Sequence, residues 1–433
     1  MRIHPLQEMM RRRKNGEKCG IPSYCTANGL ALEALMERAK ELSRPVLIEA
    51  TANQVNQFGG YTGMRPADFM KYILDLADKV GMDRDLLIPG GDHLGPLTWA
   101  GEPESSAMEK ARELVRQFVE AGFTKIHLDT SMKLGDDAAD APLSTEVIAR
   151  RGVELYKVCM EAYEKRRIQE PDALRPVFII GSEVPIPGGA QEEEEGISVT
   201  KPEDLADTVQ TYKRVFAENG VADGWKDVIA VVVQPGVEFG DSQVFLYDRG
   251  GAVSLCKKLE DYPEVVFEGH STDYQTKECL REMVEDGIAI LKVGPALTFG
   301  LRESLFALSM IEKELIPQEK WADLPAVLER VMLADPGNWQ KHYHGTEEEL
   351  ALARKYSFSD RCRYYMGEPD VTAAINKLFA NLSEKEIPMT ILHQYMPLQY
   401  EKVIRGKLKA DARSLAKDGV VQFMLDYEYA ARS

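Results

Sequence analysis

Leu86-Leu87-Ile88-Pro89-Gly90-Gly91-Asp92-His93-Leu94-Gly95-Pro96 is the stretch on which the reading of the chain turns. Its apolar opening predicts a buried strand over residues 86–90. Two glycines then bring the backbone round, and an acid and an imidazole stand side by side at the strand's end. Gly95 and Pro96 block a simple continuation. Taken alone, Asp92 could merely cap the next helix. The company it keeps along the chain bears on that choice.

Working outward, residues 21–28, 45–51, 124–129, 176–181, 227–233, 264–268 and 289–293 also read as strands. Each strand is followed by a helical period: 31–42, 66–80, 106–121, 144–167, 202–218, 252–259, 274–285 and 301–315. The strands are apolar throughout instead of alternating, as expected when both faces are buried. Eight such units predict an α/β fold, a (β/α)8 or TIM barrel. A doubly wound open sheet would carry a glycine fingerprint after its first strand, and Cys25-Thr26-Ala27-Asn28-Gly29 is not one. Residues 1–316 are read as the barrel with an N-terminal helix. Residues 317–433, where strands cease, are read as a helical C-terminal extension packed on it, with helices over 323–333, 347–355, 371–382 and 414–430.

Composition narrows the function. The formal charge of −17 argues against a nucleic-acid or anionic-membrane binder and leaves room for a local basic pocket for a sugar phosphate. The six cysteines are scattered without a CxxC pair, which points to reduced thiols and a cytoplasmic protein. No apolar leader follows Arg11-Arg12-Arg13-Lys14, and no stretch approaches a membrane span.

In such a barrel, chemistry gathers where strands end. The predicted strand ends carry Asn28; Glu49, Asn53 and Gln54; Asp92 and His93; His127 and Asp129; Glu183; Gln234; Glu268, His270, Ser271 and Asp273; and Lys292. Barrel cores favour branched apolar residues, so this load reads as a site. His93, Glu183 and His270, with Gln234 as a weaker fourth, form a candidate ligand set for a divalent metal: zinc, manganese, cobalt or nickel. Asp92 and Asp129 are candidates for proton transfer, Asp129 alternatively orienting a ligand histidine. Ser271-Thr272 and the N–H groups after Gly294 read equally as a phosphate site or as helix caps. Lys292 and Arg302 could add positive charge there, and a Schiff base on Lys292 is the weaker alternative.

The chain resembles the tagatose-1,6-bisphosphate aldolase Z-type subunit family, long also labelled tagatose-6-phosphate kinases. The resemblance is carried by Tyr24-Cys25-Thr26-Ala27-Asn28, Gly90 to Pro96, Lys125-Ile126-His127-Leu128-Asp129, Gly181-Ser182-Glu183-Val184-Pro185, Glu268-Gly269-His270-Ser271-Thr272-Asp273 and Tyr356-Ser357-Phe358-Ser359-Asp360-Arg361, among others across nearly the whole chain. It implies a fold similar to class II, metal-dependent aldolases, with Asp92-His93 matching their Asp-His motif and His270 their later ligand. Gln234 stands where those aldolases carry another histidine. Family members are described either as partners of a catalytic aldolase subunit or as metal-dependent ketohexose 4-epimerases. The expected catalytic residues are therefore Asp92, Asp129 and Glu183. Asn28, Glu49, Asn53, Gln54, His127, Ser271, Asp273, Lys292, Arg302 and Arg361 are expected to bind a ketohexose or its phosphate. A catalytic aldolase subunit and a homo-oligomer are the partner alternatives. No P-loop supports the kinase label.

Overall fold

A computed structural model describes residues 3–182 and 197–432. The eight expected strands are present as Ile21–Cys25, Val46–Thr51, Leu87–Leu94, Lys125–Leu128, Val177–Ile180, Val228–Val233, Val266–Gly269 and Ile288–Val293. All neighbours pair in parallel, and the first strand pairs with the eighth, so the sheet closes as a (β/α)8 barrel. Helices Gly29–Leu42, Pro66–Val80, Glu104–Ala121, Thr145–Gln169, Pro202–Glu218, Arg249–Lys258, Lys277–Glu285 and Pro295–Leu315 follow them in turn. The last of these starts six residues before its expected position at 301, because Pro295 suits a first helical turn. A short hairpin, Glu238–Phe239 with Val244–Phe245, follows strand six and was not expected.

The two ends of the barrel differ in chemistry. The N-terminal helix Pro5–Lys14 closes the bottom, where Leu6, Met9 and Met10 pack against Leu47, Ile88, Ile179 and Ile290. Each apolar side chain buried in that plug contributes about 1.5–3 kcal/mol. The upper layer is polar instead: Glu49, Lys125, Glu268 and Lys292 are all buried on strands two, four, seven and eight.

After residue 317 the chain forms helices Leu324–Ala334, Glu347–Tyr356, Pro369–Ser383, Met389–Tyr395, Pro397–Ile404 and Ala412–Ala431. Met389–Tyr395 and Pro397–Ile404 are short and were not anticipated. The final helix lies against Gly29–Leu42, Lys277–Glu285 and Pro295–Leu315. Its approach is backbone to backbone: a Cβ on Gly419 would stand 2.2 Å from the Gly300 oxygen. Tyr427 on this helix donates its hydroxyl to the Thr272 carbonyl at 2.9 Å, tying the helix to the end of strand seven. The segment around 356–365 reaches the same end of the barrel. There Tyr274 donates to the Phe358 carbonyl at 2.5 Å, and Asp360 accepts from Thr298 Oγ1 at 2.7 Å. No helix among the described residues is long and apolar enough to cross a membrane.

Candidate active site

The third strand does not turn at Gly90-Gly91; it runs on to Leu94. Neither glycine has a positive φ. They are needed for space instead: a Cβ on Gly90 would stand 2.6 Å from Glu49 Oε1, and one on Gly91 2.5 Å from Leu94 Cδ1. Pairing with strand four slips between Gly91 and Leu94, and His93 adopts φ 48°, a left-handed conformation uncommon outside glycine. Successive residues on a regular strand face opposite sides. The bulge lifts that constraint and lets Asp92 and His93 join one cluster. Ser271, directly after His270, is likewise left-handed at φ 51°.

Asp92, His93, His127 and His270 come together, each offering a ligand atom within 4.8 Å of the others. The three imidazoles form a triangle with ring centroids 5.0, 4.9 and 5.1 Å apart. One nitrogen of each faces a carboxylate. His93 Nδ1 lies 2.8 Å from Asp129 Oδ2, His127 Nδ1 2.8 Å from Asp92 Oδ1, and His270 Nε2 3.0 Å from Glu268 Oε1. A carboxylate only accepts, so His93 Nδ1 and His270 Nε2 carry the proton; His127 Nδ1 stands between Asp92 and the His93 backbone N–H, which donates to it at 3.2 Å. The remaining nitrogens are His93 Nε2, His127 Nε2 and His270 Nδ1, and His127 Nε2 is buried with no hydrogen-bond partner. This is the arrangement by which second carboxylates orient metal-ligating imidazoles.

Charge completes the fit. Lys125 Nζ stands 2.7 Å from Glu49 Oε1 and 2.8 Å from Glu268 Oε2, all three fully buried. Lys292 Nζ pairs with Glu49 Oε2 and stands 2.9 Å from Asp92 Oδ2 and 3.0 Å from Cys25 Sγ. Three buried carboxylates (Asp92, Glu49, Glu268) thus face two ammonium groups and a fourth, Asp129, backs His93, leaving two negative charges when the imidazoles are neutral. An unbalanced buried charge is costly. A divalent ion balances it, and a nitrogen-rich donor set suits zinc, manganese, cobalt or nickel. The residues present fit such an ion.

The electrostatics agree. Burial would raise the Asp92 carboxyl, yet His93, His127 and His270 hold it well below its ordinary range. Burial opposes charge on His93, but Asp92 and Asp129 raise it. Burial lowers His270 despite Glu268. It also lowers Lys292 and pushes the Cys25 thiol up to about 12.

Asp92, His93 and His270 floor a cavity of about 120 Å3 whose wall includes Asn53, Gln54, Ser271, Asp273 and Lys292. Asp129 lies behind His93, also accepting from Ser131 Oγ at 2.7 Å. Glu49 lies beneath, held by the two lysines. Asn28 caps the helix Gly29–Leu42, accepting from Leu30 N at 3.0 Å, and faces a neighbouring cavity. Three expected residues are not brought to the cluster. Gln234 Oε1 accepts from Gly236 N at 2.8 Å and Val237 N at 3.0 Å, closing a turn. Arg302 Nε donates to Asp360 Oδ1 at 3.2 Å, and Arg361 Nη1 to the Asn338 carbonyl at 2.8 Å. Glu183 lies outside the described residues.

Sequence reasoning passed over Lys125, Cys25, Tyr61 and Arg363. Lys125 left a usable signal, a lysine inside an apolar strand that both faces bury. Arg363 left none beyond its place in the polar and aromatic stretch Tyr356-Ser357-Phe358-Ser359-Asp360-Arg361-Cys362-Arg363-Tyr364-Tyr365.

The chain matches the family described as D-tagatose-1,6-bisphosphate aldolase subunit GatZ/KbaZ-like over residues 6–432. Among solved structures it is similar to a probable tagatose 6 phosphate kinase from Sinorhizobium meliloti 1021. That likeness has 43% identity and a TM-score of 0.86, over 95% of this chain and 100% of that one. The YdjI aldolase from Escherichia coli K12 aligns over 84% of this chain and 96% of its own, with 13% identity and a TM-score of 0.42. A fructose-bisphosphate aldolase from Campylobacter jejuni aligns over 87% and 94%, with 14% identity and a TM-score of 0.43.

Proposed function

We propose that this chain, which belongs to the D-tagatose-1,6-bisphosphate aldolase subunit GatZ/KbaZ-like family, is a metal-dependent enzyme that inverts C4 of a ketohexose or its phosphate, interconverting fructose and tagatose frameworks by retro-aldol and aldol steps. The observation that carries this reading is the triangle of His93, His127 and His270, each backed by a carboxylate, with Asp92 at the cavity floor.

His93, His127 and His270 would hold the ion. When bound, it supplies Lewis-acid polarisation of the ketose oxygens. Asp92 is ionised, and it takes the proton of the C4 hydroxyl. The C3–C4 bond then breaks. Its electron pair passes to C3 and the C2 carbonyl, giving a three-carbon enediolate and an aldehyde. Lys292, 2.9 Å from Asp92, places positive charge beside the reacting oxygens. The aldehyde turns its opposite face, the bond re-forms, and the proton returns from Asp92 to the C4 oxygen. Release of the two fragments instead would be aldol cleavage. Asp129 acts by holding His93. No step uses Gln234.

A second reading, an accessory subunit that supports a catalytic aldolase, is favoured by the word subunit in the family's description. The kinase description of the Sinorhizobium relative has no P-loop behind it in this chain.

The test is to strip the purified chain of metal, restore single divalent ions, and assay fructose, tagatose and their 6-phosphates. Metal-dependent interconversion that His270→Ala abolishes is the expected result. No activity alone, together with a rise in a partner aldolase's activity on mixing, would sink the enzyme reading in favour of the second.

A further inference from the structure

We propose that Arg363, delivered by the C-terminal segment, is the recognition residue for an anionic group on the substrate's far end, a phosphate monoester or a carboxylate. This rests on the sugar reading above and adds the substrate's charge to it.

Arg363 lines the cavity that holds Asp92, His93 and His270. Its Nη1 donates to the carbonyls of Ser359 and, at 3.1 Å, Asp360, and its Nη2 to Tyr364 Oη at 2.8 Å. The guanidinium also sits 4.3 Å from the centre of the Tyr364 ring. All these partners are neutral. They fix the fork in place, and no ion pair of Arg363 occurs among the described residues; the Asp360 and Asp273 carboxylates act on its charge only from beyond contact distance, Asp360 already holding Arg302 and Asp273 the N–H groups of Gly294 and Ala296. The other cations near that wall are already matched. Lys292 faces Glu49 and Asp92, and Arg302 faces Asp360.

The usual anion position of a barrel, at the ends of strands seven and eight, is closed. Asp273 puts Oδ1 there, accepting from Gly294 N at 3.0 Å and Ala296 N at 2.9 Å, the first N–H groups of helix Pro295–Leu315. A phosphate would meet a carboxylate at that spot. Repelled there, an anionic group has Arg363 as its available partner.

There is also room. A second cavity of about 710 Å3, between the barrel and the C-terminal helices, shares Cys25, Gln54, Tyr61, Gly294, Arg363 and Tyr364 with the first. Arg363 stands at the junction.

The test pairs binding with turnover on the full chain. Wild type, Arg363→Gln and Arg363→Lys are titrated calorimetrically with inorganic phosphate. They are then assayed, metal-loaded, on fructose, fructose 6-phosphate and fructuronate. A charge-assisted bidentate contact predicts a roughly 10–100-fold loss of phosphate affinity in Arg363→Gln. Arg363→Lys should fall between, and selectivity for anionic over neutral ketose should drop by a similar factor, mostly through KM. A drop confined to fructose 6-phosphate assigns phosphate, and one confined to fructuronate assigns carboxylate. If Arg363→Gln fails to fold, by circular dichroism, Arg363→Lys carries the same comparison. Phosphate binding that is absent in wild type, or equal in all three proteins, overturns the proposal. Loss of all three sugars in equal proportion does so as well. Because the calorimetric arm needs no turnover, a chain inactive on every sugar defeats the enzyme reading while still deciding this one.

Discussion

Replacing Asp129 with asparagine separates metal support from structural support. Asp129 is buried and accepts from His93 Nδ1 at 2.8 Å. Asparagine keeps an accepting oxygen for His93 Nδ1 but turns its amide NH2 toward Ser131, whose N–H and hydroxyl donate to the other carboxylate oxygen at 3.1 and 2.7 Å, so the metal-free fold should lose about 1 kcal/mol. The cluster's excess falls from two negative charges to one, which relieves like-charge repulsion in that state. The bound state should move the other way, because removing a carboxylate behind a ligand histidine weakens metal affinity roughly 10–100-fold. At a free metal concentration 100 times the wild-type Kd, the ion adds about 2.7 kcal/mol to wild-type stability. At that same concentration it would add only about 1.4 to 0.4 kcal/mol to the variant. The assay is calorimetric titration of chelator-treated protein with zinc, manganese, cobalt and nickel, alongside urea unfolding with and without each ion. Equal affinities would refute the argument. So would an apo variant destabilised by as much as the lost metal contribution, since Asp129 would then be holding the fold and not the ion.

Two further outcomes follow from the buried charges. Lys125→Met leaves Glu49 and Glu268 without the ammonium that stands 2.7 and 2.8 Å from them. Urea midpoints should report a loss of about 3–5 kcal/mol, and a loss under 1 kcal/mol would mean that the carboxylates are protonated or hydrated. Asp273 titrates in the opposite sense to a paired carboxylate. Burial pushes it up to about 6 against the pull of Ala296 N and Gly294 N, from an ordinary value of 3.8. The folded state therefore holds this proton more tightly than the unfolded one. Stability from this group is present below pH 4 and is lost as pH rises through 6, by roughly 3 kcal/mol. Asp273→Asn should gain on wild type by about that much between pH 4 and pH 7. A difference between the two proteins that stays flat with pH would contradict it.

The barrel was legible because eight apolar runs, each with its own helix, leave few alternatives once both faces of every strand must be covered. The polar strand ends were legible because nothing apolar explains them. What did not show was direction. Gly90-Gly91 reads as a turn, yet these glycines clear space for Glu49 and Leu94, and the turn comes later. Adjacent Asp92 and His93 reach one cluster only through a slip in register, and local propensity does not encode register. Gln234 looks like a ligand in a list of strand ends, but two backbone N–H groups already occupy its oxygen. Arg361 and Arg363 lie two residues apart in one short 3-10 turn, so they point to different surroundings, and composition cannot say which one meets the cavity. The same holds for the imidazoles. A sequence can put three histidines at strand ends, but it does not show which nitrogen a carboxylate has already taken. That assignment decides what the cluster can bind: Asp129 and Glu268 each fix one nitrogen of His93 and His270, Asp92 stands beside His127, and the donor atoms left over are those a divalent cation would have to share.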